Sequence, residues 1–177
     1  MAVNENNETE HPSAAVALVV TRESPSILLV RRANHAADPW SGQWAFPGGK
    51  VDESDSDLVA TCQREVLEEC GCLLSADHYE RALPISKAGR LQRQPVIVAP
   101  FLWEIPERVE LNPDETEIAS ACWLELSYLI DPGNHDIGVI APEYDNREFP
   151  YISLGDTPLW GFTYMVLMNY LNERESN

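Results

Sequence analysis

Lysine is almost missing from this chain. Only Lys50 and Lys87 occur, and 12 lysines and arginines together face 29 acidic residues, a formal net charge of −17. Long nucleic acid is held through Lys and Arg contacts to phosphate, so a deficit of this size excludes a polyanion groove and disfavours an anionic membrane surface. Solubility is the plain explanation of the acidity. Long apolar runs are missing too, and none approaches the ~20 residues that a membrane span needs. The opening MAVNENNETEHPS has neither the basic nor the apolar region of a secretory leader, so the expected location is cytoplasmic. Cysteine is scarce. Cys62, Cys70, Cys72 and Cys122 include one C-x-C pair and no second close pair to complete a zinc site, which predicts reduced, partly buried thiols. His11, His35, His78 and His135 are scattered, with no pair at ligand spacing.

What remains is ordinary globular material. The chain has 177 residues and is 44% hydrophobic, enough for one domain with a real core. Residues 1–12 are polar and predict a disordered tail, with a single domain over 13–177. AAVALVV (14–20) and ILLVRR (27–32) are β-branched runs separated by a turn-like ESPS, and predict a strand pair. NHAADPWSGQW (34–44) reads as a loop. PVIVAPFLWEI (95–105) predicts a further strand, and ACWLELSYL (121–129) another, or a strand running into a turn. A final helix is expected from GDTPLWG onward, capped by Asp156 or Thr157 with Pro158 in its first turn. Strands and helices alternate irregularly, so the fold class is α/β with a mixed sheet.

The chemistry concentrates in AFPGGKVDESDSDLVATCQREVLEECG (45–71). Asp55 or Ser56 would cap a helix over 56–70, and Gly71 would stop it. On that helix Glu65, Glu68 and Glu69 fall on one side, where like charges repel by roughly 0.2–0.5 kcal/mol per exposed pair. The plainer reading is a solvent-facing acidic helix, but Arg64 is the only nearby cation to dilute it. A bound cation compensates more simply. Glutamate oxygens are hard ligands, suited to Mg²⁺ or Mn²⁺ shared with substrate phosphates. A Walker loop is excluded because Val51 follows Lys50 and no glycine stands at the upstream position. No G-x-G-x-x-G follows a strand, and DESDSD lacks the glycine and closing glutamate of a calcium loop.

The stretch GGKVDESDSDLVATCQREVLEECGCL resembles the Nudix box, G-x5-E-x7-R-E-U-x-E-E-x-G-U with U aliphatic. Its second half, Arg64-Glu65-Val66-Leu67-Glu68-Glu69-Cys70-Gly71-Cys72, matches every fixed position except the last, where Cys72 stands for an aliphatic residue. In the first half Asp55 replaces a glutamate and the interval to Arg64 is one residue longer. The resemblance implies an α/β/α sandwich around a mixed sheet, and hydrolysis of a nucleoside diphosphate derivative by water attack on phosphorus. It implies Mg²⁺ or Mn²⁺ on Glu65, Glu68 and Glu69, with the carbonyl of Gly48 as a further ligand and Arg64 bracing the carboxylates.

The longer interval, LLVRRA (28–33), Gly42-Gln43-Trp44-Ala45-Phe46-Pro47-Gly48-Gly49 and PLWGFT (158–163) are similar to the coenzyme A diphosphatase branch. There Val30 replaces a threonine, and Asp38 falls where an arginine is expected. The alternative is ADP-ribose or a nucleoside diphosphate sugar, with Trp40, Trp44 or Trp103 as a stacking surface; for Trp103, on a strand, core packing is the simpler role. A non-catalytic nucleotide-binding regulatory module is a further alternative. Arg31 and Arg32 alternate across a strand, so one of them at most faces the site. Arg32, Trp44, Arg90 and Arg93 are the candidate substrate contacts. Glu117 is the candidate base outside the box, beside Glu115, with Glu143 and Asp145 behind it. The expected partner is a small nucleoside diphosphate derivative, with neither long nucleic acid nor membrane, and a homodimer is left open.

Overall fold

The computed structural model describes residues 11–36, 38–89, 95–141 and 144–176; most of the expected tail, and Arg90, Arg93 and Glu143, lie outside them. Strand β1 (Ala14–Thr21) turns through 22–25 into β2 (Ser26–Arg32), followed by the short β3 (Trp44–Ala45) and β4 (Gly48–Lys50). Helix α1 spans Leu58–Cys70. Then come β5 (Tyr79–Ala82), β6 (Ser86–Ala88), β7 (Val96–Ile105) and β8 (Ile118–Glu125), which runs into α2 (Leu126–Ile130). Strands β9 (His135–Gly138), β10 (Phe149–Ile152) and β11 (Leu159–Trp160) form a small second sheet, and α3 (Gly161–Glu175) closes the described chain.

The main sheet is mixed. Strand β1 runs parallel to β7 over its full length, Ala14 opposite Val98 to Thr21 opposite Ile105. Strand β8 lies antiparallel along β2. Both faces of β1 are covered, which is why it reads as a continuous apolar run rather than an alternating one. Ala15, Ala17 and Val19 pack on the α1 side with Val66, Phe101 and Trp103. Leu18 and Val20 pack on the α3 side with Leu29, Phe46, Leu159 and Leu167. The result is a sheet between two helical layers, as the family resemblance implied.

One irregularity builds the site. Strands β1 and β2 meet only where Val20 faces Ile27, and then diverge. The chain from β3 to β4 fills the gap: β3 pairs with the end of β2, and β4 pairs with the start of β1, Val16 opposite Gly48. The Pro47 carbonyl accepts from Ala17 N–H at 2.9 Å, and Phe46 is driven into the α3-side core at 3% exposure. Gly48 and Gly49 are thereby laid beneath α1.

Three local expectations are corrected. Helix α1 starts at Leu58, and its cap is Asp57, whose carboxylate accepts from Ala60 N–H at 2.8 Å. Asp55 does not cap the helix because its carboxylate is taken by Arg64. The final helix begins at Gly161, not at Asp156 or Thr157. Leu159 and Trp160 are held first as a strand on β10, so the helix can start only beyond them.

Candidate active site

Helix α1 carries the cluster, and Arg64 sits at its centre. The Arg64 Nε and Nη2 atoms donate to the two oxygens of Asp55, each at 2.9 Å, a bidentate pair. Nη1 donates to Glu65 and to Glu68, both at 2.9 Å, and Nη2 also reaches the Lys50 carbonyl at 3.2 Å. Hydrogen bonds from Arg64 hold the Asp55 carboxyl well below the usual range. Thr61 adds a hydroxyl donor to Asp55 at 2.9 Å. The aspartate that stands where the box has glutamate therefore ties the 51–57 loop to the helix.

Glu69 faces the other way, into the protein. It is 3% exposed, and its Oε2 accepts the Gly48 N–H at 2.9 Å. Burial pushes its carboxyl up to about 8, against the pull of the Gly48 hydrogen bond and with the charges of Glu65 and Glu117 adding to the rise. Burial also raises Glu65, opposed by Arg64. Gly49 is what lets Glu65 approach. A Cβ there would stand 2.7 Å from Glu65 Oε2 and nearer still to the other carboxylate oxygen. Gly48, at φ +148°, would drive a Cβ against the backbone of Ala15 and Val16.

A turn over 112–117 wraps the C-terminal end of α1 and delivers Glu117. Asn112 N–H donates to the Cys70 carbonyl at 2.8 Å, and Asp114 N–H to that of Glu69 at 3.3 Å. Asp114 accepts from the backbone and hydroxyl of Thr116, and its carbonyl accepts from Glu117 N–H. Ala33 N–H, just past β2, donates to the Glu117 carbonyl at 2.7 Å. The Glu117 side chain is exposed, and its charge is felt at both Glu65 and Glu69. On the neighbouring strand Arg32 turns to the same face. Its charge reaches Glu69, and its Nε donates to Asp38 at 2.6 Å.

Arg32, Gly48, Arg64, Glu65, Glu68, Glu69 and Glu117 thus come together. Trp44 does not. It packs in the α3-side cluster, on the opposite face of the sheet, with its indole N–H buried and unpartnered. Residue alternation puts Ala45, not Trp44, on the α1 side. Trp103 is fully buried, as core packing predicts. Gly48 contributes its N–H to Glu69, which spacing alone did not suggest. Sequence reasoning named Asp38 only as a departure from the branch pattern, without its contact to Arg32, and missed Asp114; the Asp-x-Thr spacing of the 114–116 turn was the available signal for the second. Cys62, Cys70 and Cys72 are buried, and burial raises each thiol, Cys72 to about 11. They are placed as core rather than chemistry.

Among the described residues, no three His, Cys, Asp or Glu side chains converge at ligand spacing. Asp55, Glu65 and Glu68 close instead on Arg64. The donor set nevertheless fits a divalent cation. All its atoms are hard oxygens, and Glu69 is a buried carboxyl whose ionised form a nearby cation would favour.

The NUDIX domain model matches residues 10–144. An uncharacterized Nudix hydrolase NudL of Yersinia enterocolitica is 36% identical over 110 residues, covering 62% of this chain and 53% of the relative. That of Yersinia pestis is 27% identical over 161 residues, covering 90% and 77%. The chain therefore spans about half the length of the first of these relatives. Among solved structures, a MutT/nudix family protein from Enterococcus faecalis matches with TM-score 0.68 at 21% identity, covering 95% of this chain and 64% of that one. The NUDIX domain of Shewanella oneidensis NrtR, solved with ADP ribose, matches with TM-score 0.62 at 19% identity, covering 97% and 94%. These likenesses confirm the α/β fold. With the domain matched over most of its length, the chain belongs to the Nudix family.

Proposed function

We propose that the chain hydrolyses the diphosphate linkage of a nucleoside diphosphate derivative, with Mg²⁺ or Mn²⁺. The observation that carries this reading is Glu69: a carboxyl at 3% exposure, held on Gly48 N–H beside Glu65 and without a cation in contact. A structural role does not require an acid there, and burying one unpaired is costly. Glu65, Glu68 and Glu69 would hold the cation, with Gly48 at the same place. Bound there, it would supply a Lewis acid that offsets diphosphate charge and acidifies nearby water.

The remaining work falls to the chain. Arg64 fixes the rotamers of Glu65 and Glu68 through its paired N–H groups and anchors the whole face to Asp55. Glu117, exposed beside the cluster, takes the proton of the attacking water. Arg32 offers positive charge to the diphosphate and to the phosphate monoester that leaves when its bridge is broken. Arg90 and Arg93 remain candidates for outer phosphate contacts from the segment before β7.

Coenzyme A is the first substrate to test, on the pattern through LLVRRA, the glycine run and PLWGFT. ADP-ribose is the second, and Asp38 favours it. A carboxylate where the coenzyme A branch has an arginine disfavours the further phosphate that such an arginine would meet. The test is product release from coenzyme A, ADP-ribose, nucleoside diphosphate sugars and dinucleoside polyphosphates with Mg²⁺ or Mn²⁺, beside Glu69→Gln. Metal-dependent cleavage of one class, lost in the variant, supports the reading. Nucleotide binding with no turnover of any member replaces it with a regulatory module.

A further inference from the structure

Arg32 and Asp38 form a contact that the family motif does not include. The Asp38 side chain is 16% exposed and that of Arg32 33%, so the pair is largely shielded from water. Asp38 is fixed on every side. One carboxylate oxygen accepts from Trp40 N–H at 3.0 Å, the other from Arg32 Nε at 2.6 Å, and its own N–H donates to the His35 carbonyl. Its loop is pinned at both ends, by Arg32 N–H on the Gln43 carbonyl and by Ala33 N–H on that of Glu117.

A guanidinium has two edges that can hold an oxyanion pair, one through Nε and the Nη atom on its side and one through its two Nη atoms. Asp38 occupies the first. Neither Nη atom of Arg32 donates to a described residue. Arg64, the other arginine at the cluster, has no spare edge, since all three of its nitrogens are committed. We infer that Asp38 is a positioning residue: by holding Arg32 through Nε, it aims the free Nη edge at the substrate diphosphate as a ready-made fork. The inference rests on the diphosphate-hydrolase reading above and deepens it. Asp38 touches no substrate phosphate itself; it acts through Arg32, and its benefit is a side chain ordered before binding.

Calorimetric binding of α,β-methylene-ADP in Mg²⁺ to the full chain tests this without requiring turnover. Arg32→Ala should weaken binding about 10- to 100-fold, the loss expected for charge-assisted hydrogen bonds. Asp38→Asn should weaken it by about tenfold in the wild-type background and not at all in the Arg32→Ala background. Asp38→Ser, whose hydroxyl still accepts from Trp40 N–H, repeats the cycle with the loop turn retained, should Asp38→Asn melt early. Binding unchanged or tightened by the Asp38 variants overturns the inference, as does a loss that persists at full size without Arg32. No binding by the wild-type chain overturns the inference together with the hydrolase reading. Wild-type binding with an indifferent Asp38 overturns the inference alone.

Discussion

Replacing Glu69 by glutamine should make the metal-free protein more stable at neutral pH while abolishing its activity. The carboxyl is 3% exposed, and burial lifts it from an ordinary 4.5 to about 8. The folded value lies above the unfolded one, so the folded protein binds the extra proton. The stability this group contributes is complete below pH 4.5 and is lost as pH rises to about 8. At about 1.36 kcal/mol per unit, roughly 3 kcal/mol is gone by pH 7. Glutamine cannot ionise, and its carbonyl oxygen can still accept the Gly48 N–H.

The assay is urea or thermal unfolding of both chains in EDTA, from pH 5 to 8.5. Glu65 is raised as well and shares the direction, whereas Asp55 is held low and its contribution is lost only in acid, below this window. The difference between the two chains isolates Glu69. It should be small at pH 5 and grow to about 6–12 °C in melting temperature at pH 7, from the 2–4 °C expected per kcal/mol at this size. Added Mg²⁺ or Mn²⁺ should return stability to the wild type, and more so at higher pH, while leaving Glu69→Gln unmoved. A difference flat in pH, or a variant less stable throughout, would refute the argument that Glu69 is a buried acid awaiting a cation.

The two glycines beneath α1 should separate when each is changed to alanine. Gly48→Ala sets a Cβ against the backbone of Ala15 and Val16 at a positive φ, and should cost at least about 2 kcal/mol in urea unfolding. Gly49→Ala displaces only the Glu65 carboxylate, and should fold with a melting temperature near wild type while metal-dependent turnover falls by an order of magnitude or more. Asp57→Ala removes the cap on Ala60 N–H and should cost about 1 kcal/mol without changing the metal requirement, measured by unfolding and by titration of turnover with Mg²⁺.

The parts of this site that lie on one helix were legible, and the reason is geometric. Spacings of three and four fix which side chains share a helical face, so Arg64, Glu65, Glu68 and Glu69 were grouped before any fold was known. Alternation along β2 likewise allowed only one of Arg31 and Arg32 to face the cluster, and Arg32 does. Sidedness failed for Trp44, because a two-residue strand has no period to read, and its direction follows from the divergence of β1 and β2. That divergence is a tertiary event: Phe46 enters the α3-side core and turns Gly48 and Gly49 towards α1. Nothing in FPGG itself states which helix will lie above it. Asp38 was hidden for a different reason. Set against the family pattern, it read as the loss of an arginine; in the structure it is bonded to another arginine six residues earlier. A departure from a motif marks a position whose partner has changed, and here that partner is Arg32, whose charge is felt at Glu69. Asp55 follows the same rule, since a shorter acid at a longer interval still takes the Nε–Nη2 edge of Arg64 with both its oxygens.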